Sequence, residues 1–213
     1  MLIETIILAL AIGLISGGSL RNLGRTTFRG AFFIFSGLIL RNFPVLFKLS
    51  FLKEYADAVN PFAPTLFIVS YIFLFIGVLL NISRWPVMVV FAGVLSNFIA
   101  VISNRGFMPV SGEGLVKAGY DISAVLSPQL DMNHVLITSQ TRFPFLTDII
   151  AVPRPYPFPQ MLSIGDILIC LGLFFFIVLE MQPRKGKRLS DEELPDEELP
   201  DEEFPDDEPT GEE

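Results

Sequence analysis

The chain has one cysteine and one histidine among its 213 residues. That shortage excludes a disulfide framework and the usual zinc sites, which need several thiolate or imidazole ligands. Phosphate-cradling glycine loops, His-Glu-x-x-His and Gly-x-Ser-x-Gly elbows are missing from the sequence as well. No two halves match each other in the way transporter repeats do. Basic residues are absent from positions 191–213, which hold 14 of the 23 acidic groups. Positions 1–190 then carry 15 basic against 9 acidic residues, a formal +6 set in Phe-, Leu- and Ile-rich chain. This pattern excludes an ordinary soluble enzyme, a disulfide-built secreted domain and a strongly basic nucleic-acid binder. It points to an integral membrane protein whose activity the sequence does not specify.

A helix needs roughly 20 apolar residues to cross the ~30 Å hydrocarbon core, because it rises about 1.5 Å per residue. Residues 58–83 and 85–104 contain no charged side chain. The spans predicted are 2–20, 30–47, 65–81, 86–104 and 164–181. The second is interrupted by Arg41 and Asn42, and Pro44 is expected to bend its last turns. Lys and Arg favour cytoplasmic loops close to span ends. Arg21, Arg25 and Arg29, then Arg84, then Arg184, Lys185, Lys187 and Arg188 fall on one side only if there are five spans. The expected fold is therefore an all-α integral membrane protein with its N-terminus outside and its C-terminus inside. Glu4 precedes the first apolar run and Arg21 follows it, the reverse of a signal peptide, so an uncleaved first helix is expected.

Small residues allow membrane helices to approach closely. Ala9, Gly13 and Gly17 repeat at every fourth position, as do Ala92, Ser96 and Ala100; both stripes are expected to pack within the bundle. Asn97 reads as an interhelical hydrogen-bonding group. Arg41 reads as a residue snorkelling outward, with an intramembrane functional charge as the alternative.

Residues 105–163 form a long external connection, expected to be an ordered cap because apolar clusters (124–126, 135–137, 149–152) alternate with turn formers. Ser111 to Gly119 predicts a short helix stopped at the glycine. Val152 to Pro159, with four prolines, must be extended. Ser163-x-x-Asp166 reads as a helix-capping pair, and Asn104 with Gly106 as a helix stop with a left-handed turn, sealed by Pro109. His134 with Asp148 would make a general base and its orienting carboxylate, but nothing in their spacing brings them together. Arg105 and Arg142 suit a phosphate or carboxylate, or pairing with Asp131 and Asp148.

The run Asn104-Arg105-Gly106-Phe107-Met108-Pro109-Val110, followed by His134, Thr141, Leu146, Asp148 and Ser163-Ile164-Gly165-Asp166, resembles a known family. With Gly17-Gly18 and Leu20 after the first helix, it is similar to the bacterial membrane proteins grouped as domain of unknown function fifty-three seventeen. The resemblance covers roughly residues 1–182, and its most specific parts are Asn-x-Gly-x-Met-Pro and Ser-x-Gly-Asp. It implies a multi-span protein of the bacterial cytoplasmic membrane and brings no activity with it. Asn104, Gly106, Met108, Pro109, Ser163, Gly165 and Asp166 thus form a candidate corner, functional or structural. Arg105, His134, Arg142 and Asp148 are candidate ligand-binding residues.

After a basic juxtamembrane segment (183–190), the tail repeats DEELP, DEELP, DEEFP, a pattern whose prolines and like charges predict a disordered, solvated chain or a strand docking a basic partner. No cofactor or metal is expected, and the partners expected are the lipid bilayer and other membrane proteins. The leading functional expectation is a non-enzymatic component that assembles with or modulates envelope proteins. Its competitor is binding or movement of a small amphiphile or lipid between cap and bundle. A third reading is a hydrolase or transferase using His134 and Asp166.

Overall fold

Apolar runs with few polar side chains satisfy their backbone N–H and C=O groups most completely as helices, and every long apolar run here becomes one. The computed structural model describes residues 1–46, 60–121 and 133–183, with positions 54 and 58. Among them are seven α-helices: α1 (Leu2–Ile15), α2 (Leu20–Gly24), α3 (Ala31–Leu46), α4 (Ala63–Leu79), α5 (Trp85–Ser103), α6 (Gly112–Ala118) and α7 (Ile164–Met181). Four expected runs correspond closely to α3, α4, α5 and α7. The first is shorter than expected: it stops at Ile15, Gly17 takes φ +82°, and Ser19 begins α2 by accepting from the Asn22 N–H. The end of the second run at Phe47, the cluster at 124–126, Asp131, the basic segment beyond Pro183 and the acidic tail lie outside the described residues.

The five longer helices alternate in direction. At one end gather the exit of α1, the entry of α3, the α4–α5 turn and the exit of α7. There the Ser19 N–H donates to Met181 O (2.9 Å), Thr26 Oγ1 donates to Glu180 Oε2 (2.7 Å), and Arg84 pairs with Glu180 (3.4 Å). Asn81 bonds the Arg29 backbone in both directions, at 3.0 and 2.7 Å. Arg21, Arg25, Arg29 and Arg84 all belong to these segments. The opposite end carries the connection between α5 and α7, which forms the cap.

Neighbours in the bundle run α3, α4, α5, α7, α1. Small residues set each spacing. A Cβ on Gly77 would collide with Ile34 across α3 and α4, and one on Gly172 would lie 2.7 Å from Pro86 O across α5 and α7. One on Gly13 would strike Met181 across α1 and α7. Ala9 and Gly13 therefore pack inside the bundle, while Gly17 lies beyond the helix. The second expected stripe holds in part: Ala100 is fully buried and Ser96 half-buried, Ala92 is exposed, and Gly93, Asn97 and Val101 also face inward. The central core joins Phe67, Tyr71 and Leu74 of α4 to Val94, Ala100 and Val101 of α5 and to Met108.

The cap corrects the all-α expectation. Among its described residues it holds α6 and four three-residue strands, β1 (Met108–Val110), β2 (His134–Leu136), β3 (Ile150–Val152) and β4 (Gln160–Leu162). β1 pairs parallel with β2, and β3 antiparallel with β4. The reason is the interruption of helix by Gly106 and Pro109 at one side and by the prolines of 153–159 at the other: extended segments must then find hydrogen-bond partners in one another. α6 forms where Ser111 to Gly119 predicted it, with Ser111 Oγ accepting from the Gly114 N–H and Gly119 at φ +87°.

Candidate functional site

Two helix ends hold the cap. α5 stops at Asn104, after which Arg105 (φ +61°) and Gly106 (φ +86°) turn the chain through left-handed backbone. A Cβ on Gly106 would sit 2.7 Å from the Pro64 Cβ, so this turn packs directly on the start of α4. Asn104 Nδ2 donates to Ala100 O and Arg142 O, at 2.7 and 2.9 Å, and its Oδ1 accepts from the Arg142 N–H at 2.9 Å. This repeats at the cap end the arrangement Asn81 makes with Arg29 at the other end, a device the sequence reading missed at Asn81.

At the entry of α7, Ser163 Oγ accepts from the Asp166 N–H and Asp166 Oδ2 from the Ser163 N–H, both at 3.0 Å, the reciprocal capping box its spacing predicts. Asn97, reaching across from α5, completes a ring. Its Oδ1 accepts from Ser163 Oγ and its Nδ2 donates to Asp166 Oδ1, both at 2.8 Å. Gly165 lies against the Asn97 carboxamide. The Asp166 carboxylate thus accepts from two donors, the Ser163 N–H and Asn97 Nδ2, and lies at the positive end of α7. Asn104 and Asp166 do not bond each other; each serves its own helix end.

The extended run after Gly106 brings distant residues together. Met108 and Pro109 are buried, and Met108 lies opposite His134 in the parallel β1–β2 pair. On its other side β1 bridges to Asp148, whose N–H donates to Pro109 O at 3.0 Å. His134 Nε2 and Asp148 Oδ2 consequently meet at 3.4 Å, a contact their separation in sequence did not announce. Burial pushes the Asp148 carboxyl above the ordinary carboxylate range, and His134 opposes that rise. Asp148 Oδ1 is buried and has no hydrogen-bond partner among the described residues.

Arg41 differs from the snorkelling expectation. Its guanidinium lies over the Phe67 and Tyr71 rings, 5.0 and 5.9 Å from their centroids, and it lines a half-open cavity of about 540 Å³. Tyr71 is buried, and the ring faces of α4 supply an electrostatic attraction that holds the cation inward. The same cavity is lined at its cap end by His134, Asp148, Gln160 and Asp166. Below them it is apolar, walled by Leu38, Leu74, Val94, Ile169, Leu173 and Phe176. From Asp166 to Phe176 the α7 wall extends about 15 Å at the rise of a regular helix. Arg105 and Arg142 are exposed and do not line it. Of the four candidate ligand-binding residues, the structure brings His134 and Asp148 into one cavity; Arg41 and Gln160 join them there, and the sequence had singled out neither for that place. Among the described residues no three His, Cys, Asp or Glu side chains cluster as metal ligands.

The family of unknown function DUF5317 matches residues 25–178, which include both helix ends, the cap and every residue lining the cavity except Met1 and Leu2. The chain belongs to this family. An uncharacterised protein of Thermotoga maritima is 26% identical over 180 residues, covering 84% of this chain and 92% of its own length. No solved structure matches. The two corner motifs that carried the resemblance both lie inside the matched span of DUF5317.

Proposed function

We propose that this DUF5317 chain is a five-span membrane protein that holds an amphiphile in the cavity beneath its cap. The observation that carries the binding reading is the cavity's division into an apolar shaft and a polar cap end containing Arg41, His134, Asp148 and Gln160. Its volume of about 540 Å³ is that of a small-molecule site, within the range of roughly 300–1,000 Å³ that such sites occupy. A polar rim over an apolar shaft is complementary to a molecule with a headgroup and a chain.

Support for the membrane reading comes from the outward faces. α5 and α7 are long and apolar enough to cross a bilayer, and α1, α3 and α4 are shorter apolar helices. Ile3, Ile7 and Ile15 of α1, Phe32, Phe35 and Ile39 of α3, and Met88 of α5 are more than half exposed. So large an apolar exterior is disfavoured in water and suits lipid. The shorter helices fit a span that is tilted or met by local thinning of the bilayer. Arg21, Arg25, Arg29 and Arg84 at the end opposite the cap then mark the cytoplasmic side.

Two experiments test the two parts. The full chain, purified from its native membranes in mild detergent, is expected to retain a molecule enriched over the bulk lipid extract, and Leu173→Trp, which fills the shaft, is expected to lose it. Absence of any enriched molecule from the parent protein overturns the binding reading. For topology, Tyr120→Cys in a Cys170→Ala background is expected to react with an impermeant thiol reagent in intact cells, and Arg25→Cys only after permeabilisation. The reverse pattern overturns the orientation.

A further inference from the structure

A chain entering this cavity from a bilayer exchanges one apolar surrounding for another, so its apolar part contributes little selectivity. Discrimination between ligands then falls to the polar end, whose groups divide into those already satisfied and those left open. Asp166 is committed to Ser163 and Asn97. Arg41 stands over aromatic rings and is paired with no carboxylate among the described residues. Asp148 is 6% exposed, and its buried Oδ1 has no partner among the described residues. The buried Gln160 Nε2 has no partner among the described residues, while its Oε1 accepts from the Met1 nitrogen at 2.9 Å. The cavity lining therefore includes one guanidinium, together with a buried acceptor and a buried donor that a ligand hydroxyl reaches when the Asp148 and Gln160 side chains turn toward the space.

We infer, resting on the amphiphile reading above, that the cavity selects an anionic phospholipid whose headgroup carries free hydroxyl groups. Arg41 takes the phosphate, for which a guanidinium is suited by charge and by its fork of N–H donors. A hydroxyl donates to Asp148 Oδ1 and accepts from Gln160 Nε2, using both functions of one group where a plain ester or a methyl would leave the two protein atoms unpaired. An ammonium headgroup would satisfy Asp148 but place a cation beside Arg41. A buried polar atom left without a partner is unfavourable, and the discrimination rests on that cost.

The test incorporates the full chain into vesicles containing phosphatidylglycerol, phosphatidylmethanol and phosphatidylethanolamine in equal amounts. It then extracts the protein in mild detergent and quantifies the lipids retained. Phosphatidylglycerol and phosphatidylmethanol share the phosphate charge and differ in the hydroxyls. Retention of phosphatidylglycerol is expected to exceed phosphatidylmethanol by about tenfold, the ratio expected when hydrogen bonds worth about 1.4 kcal/mol are lost. Asp148→Leu is expected to level those two lipids while both still exceed phosphatidylethanolamine. Arg41→Gln is expected to abolish the preference for anionic lipid, and Arg41→Lys to keep part of it. Equal retention of phosphatidylglycerol and phosphatidylmethanol by the parent protein overturns the inference without any variant having to fold. Unchanged charge selectivity in a folded Arg41→Gln protein overturns it too. If some other lipid is enriched, the headgroup assignment fails and the amphiphile reading stands; if none is, both fail.

Discussion

Asn97→Ala is the substitution whose consequence can be worked out most completely. Asn97 is 2% exposed and Ser163 is fully buried, so water has little access to the ring they form with Asp166. The alanine removes one neutral bond, from Ser163 Oγ, and one bond to a carboxylate, from the Asn97 carboxamide to Asp166, each 2.8 Å long. Typical values are about 1 kcal/mol for the first and about 1.5–3 kcal/mol for the second, giving roughly 2–4 kcal/mol in all. The box between Ser163 and Asp166 survives, so α7 still starts in place and the loss falls on the α5–α7 contact. Trp85, the sole tryptophan, reports on that contact, because it packs on Phe175 of α7 with ring centroids 5.2 Å apart. Unfolding titrations in mixed micelles, followed by its fluorescence, should show the loss in Asn97→Ala. Asn42→Ala, which removes only an exposed bond to Leu38 O within its own helix, should show almost none. A loss below about 0.5 kcal/mol for Asn97→Ala would refute the reasoning, since it would mean that the ring is no better than the partners these groups find in the open bundle.

Gly106→Ala should lower stability by at least about 1 kcal/mol, because a Cβ meets both left-handed backbone (φ +86°) and the Pro64 ring at 2.7 Å; thermal unfolding and protease cleavage of the cap measure it. The cap should loosen as pH rises from the ordinary carboxylate range through the raised value of Asp148. In that window the folded protein holds a proton that the unfolded chain has released, so stability falls with increasing pH. Asp148→Asn should flatten this dependence in pH-resolved proteolysis. Cys170, the single cysteine, is buried and lines the cavity, so a small apolar thiol reagent should modify it slowly and a bound amphiphile should slow it further; equal rates in lipid-free and lipid-loaded protein would contradict occupancy of the shaft.

What the sequence determined by itself are features whose hydrogen bonds close within a few residues. The Ser163–Asp166 box, the α6 helix from Ser111 to its glycine stop, and the turn at Asn104 and Gly106 all read correctly, because cap chemistry fixes the local backbone whatever lies around it. The positions of the long helices follow from apolar length in the same way, except at α1, where Gly17 and the Ser19 cap end the helix early. The inward faces of α1, at Ala9 and Gly13, and of α5, at Asn97, were legible as well, whereas only the tertiary structure decided how α3 and α4 are turned and how the cap strands pair. α4 is apolar around nearly its whole circumference, so no amphipathic period fixes its rotation, and on α5 the stripe of small residues marks the inward face at Ala100 but not at Ala92. Rotation of α3 likewise turns Arg41 toward Phe67 and Tyr71 and into the cavity. The meeting of His134 with Asp148 depends on a parallel pairing of β1 with β2 and a bridge from Val110 to Asp148, contacts made across long stretches of chain. Such pairings leave no periodic mark on the residues that form them, because they are set by where the bundle delivers the ends of its helices.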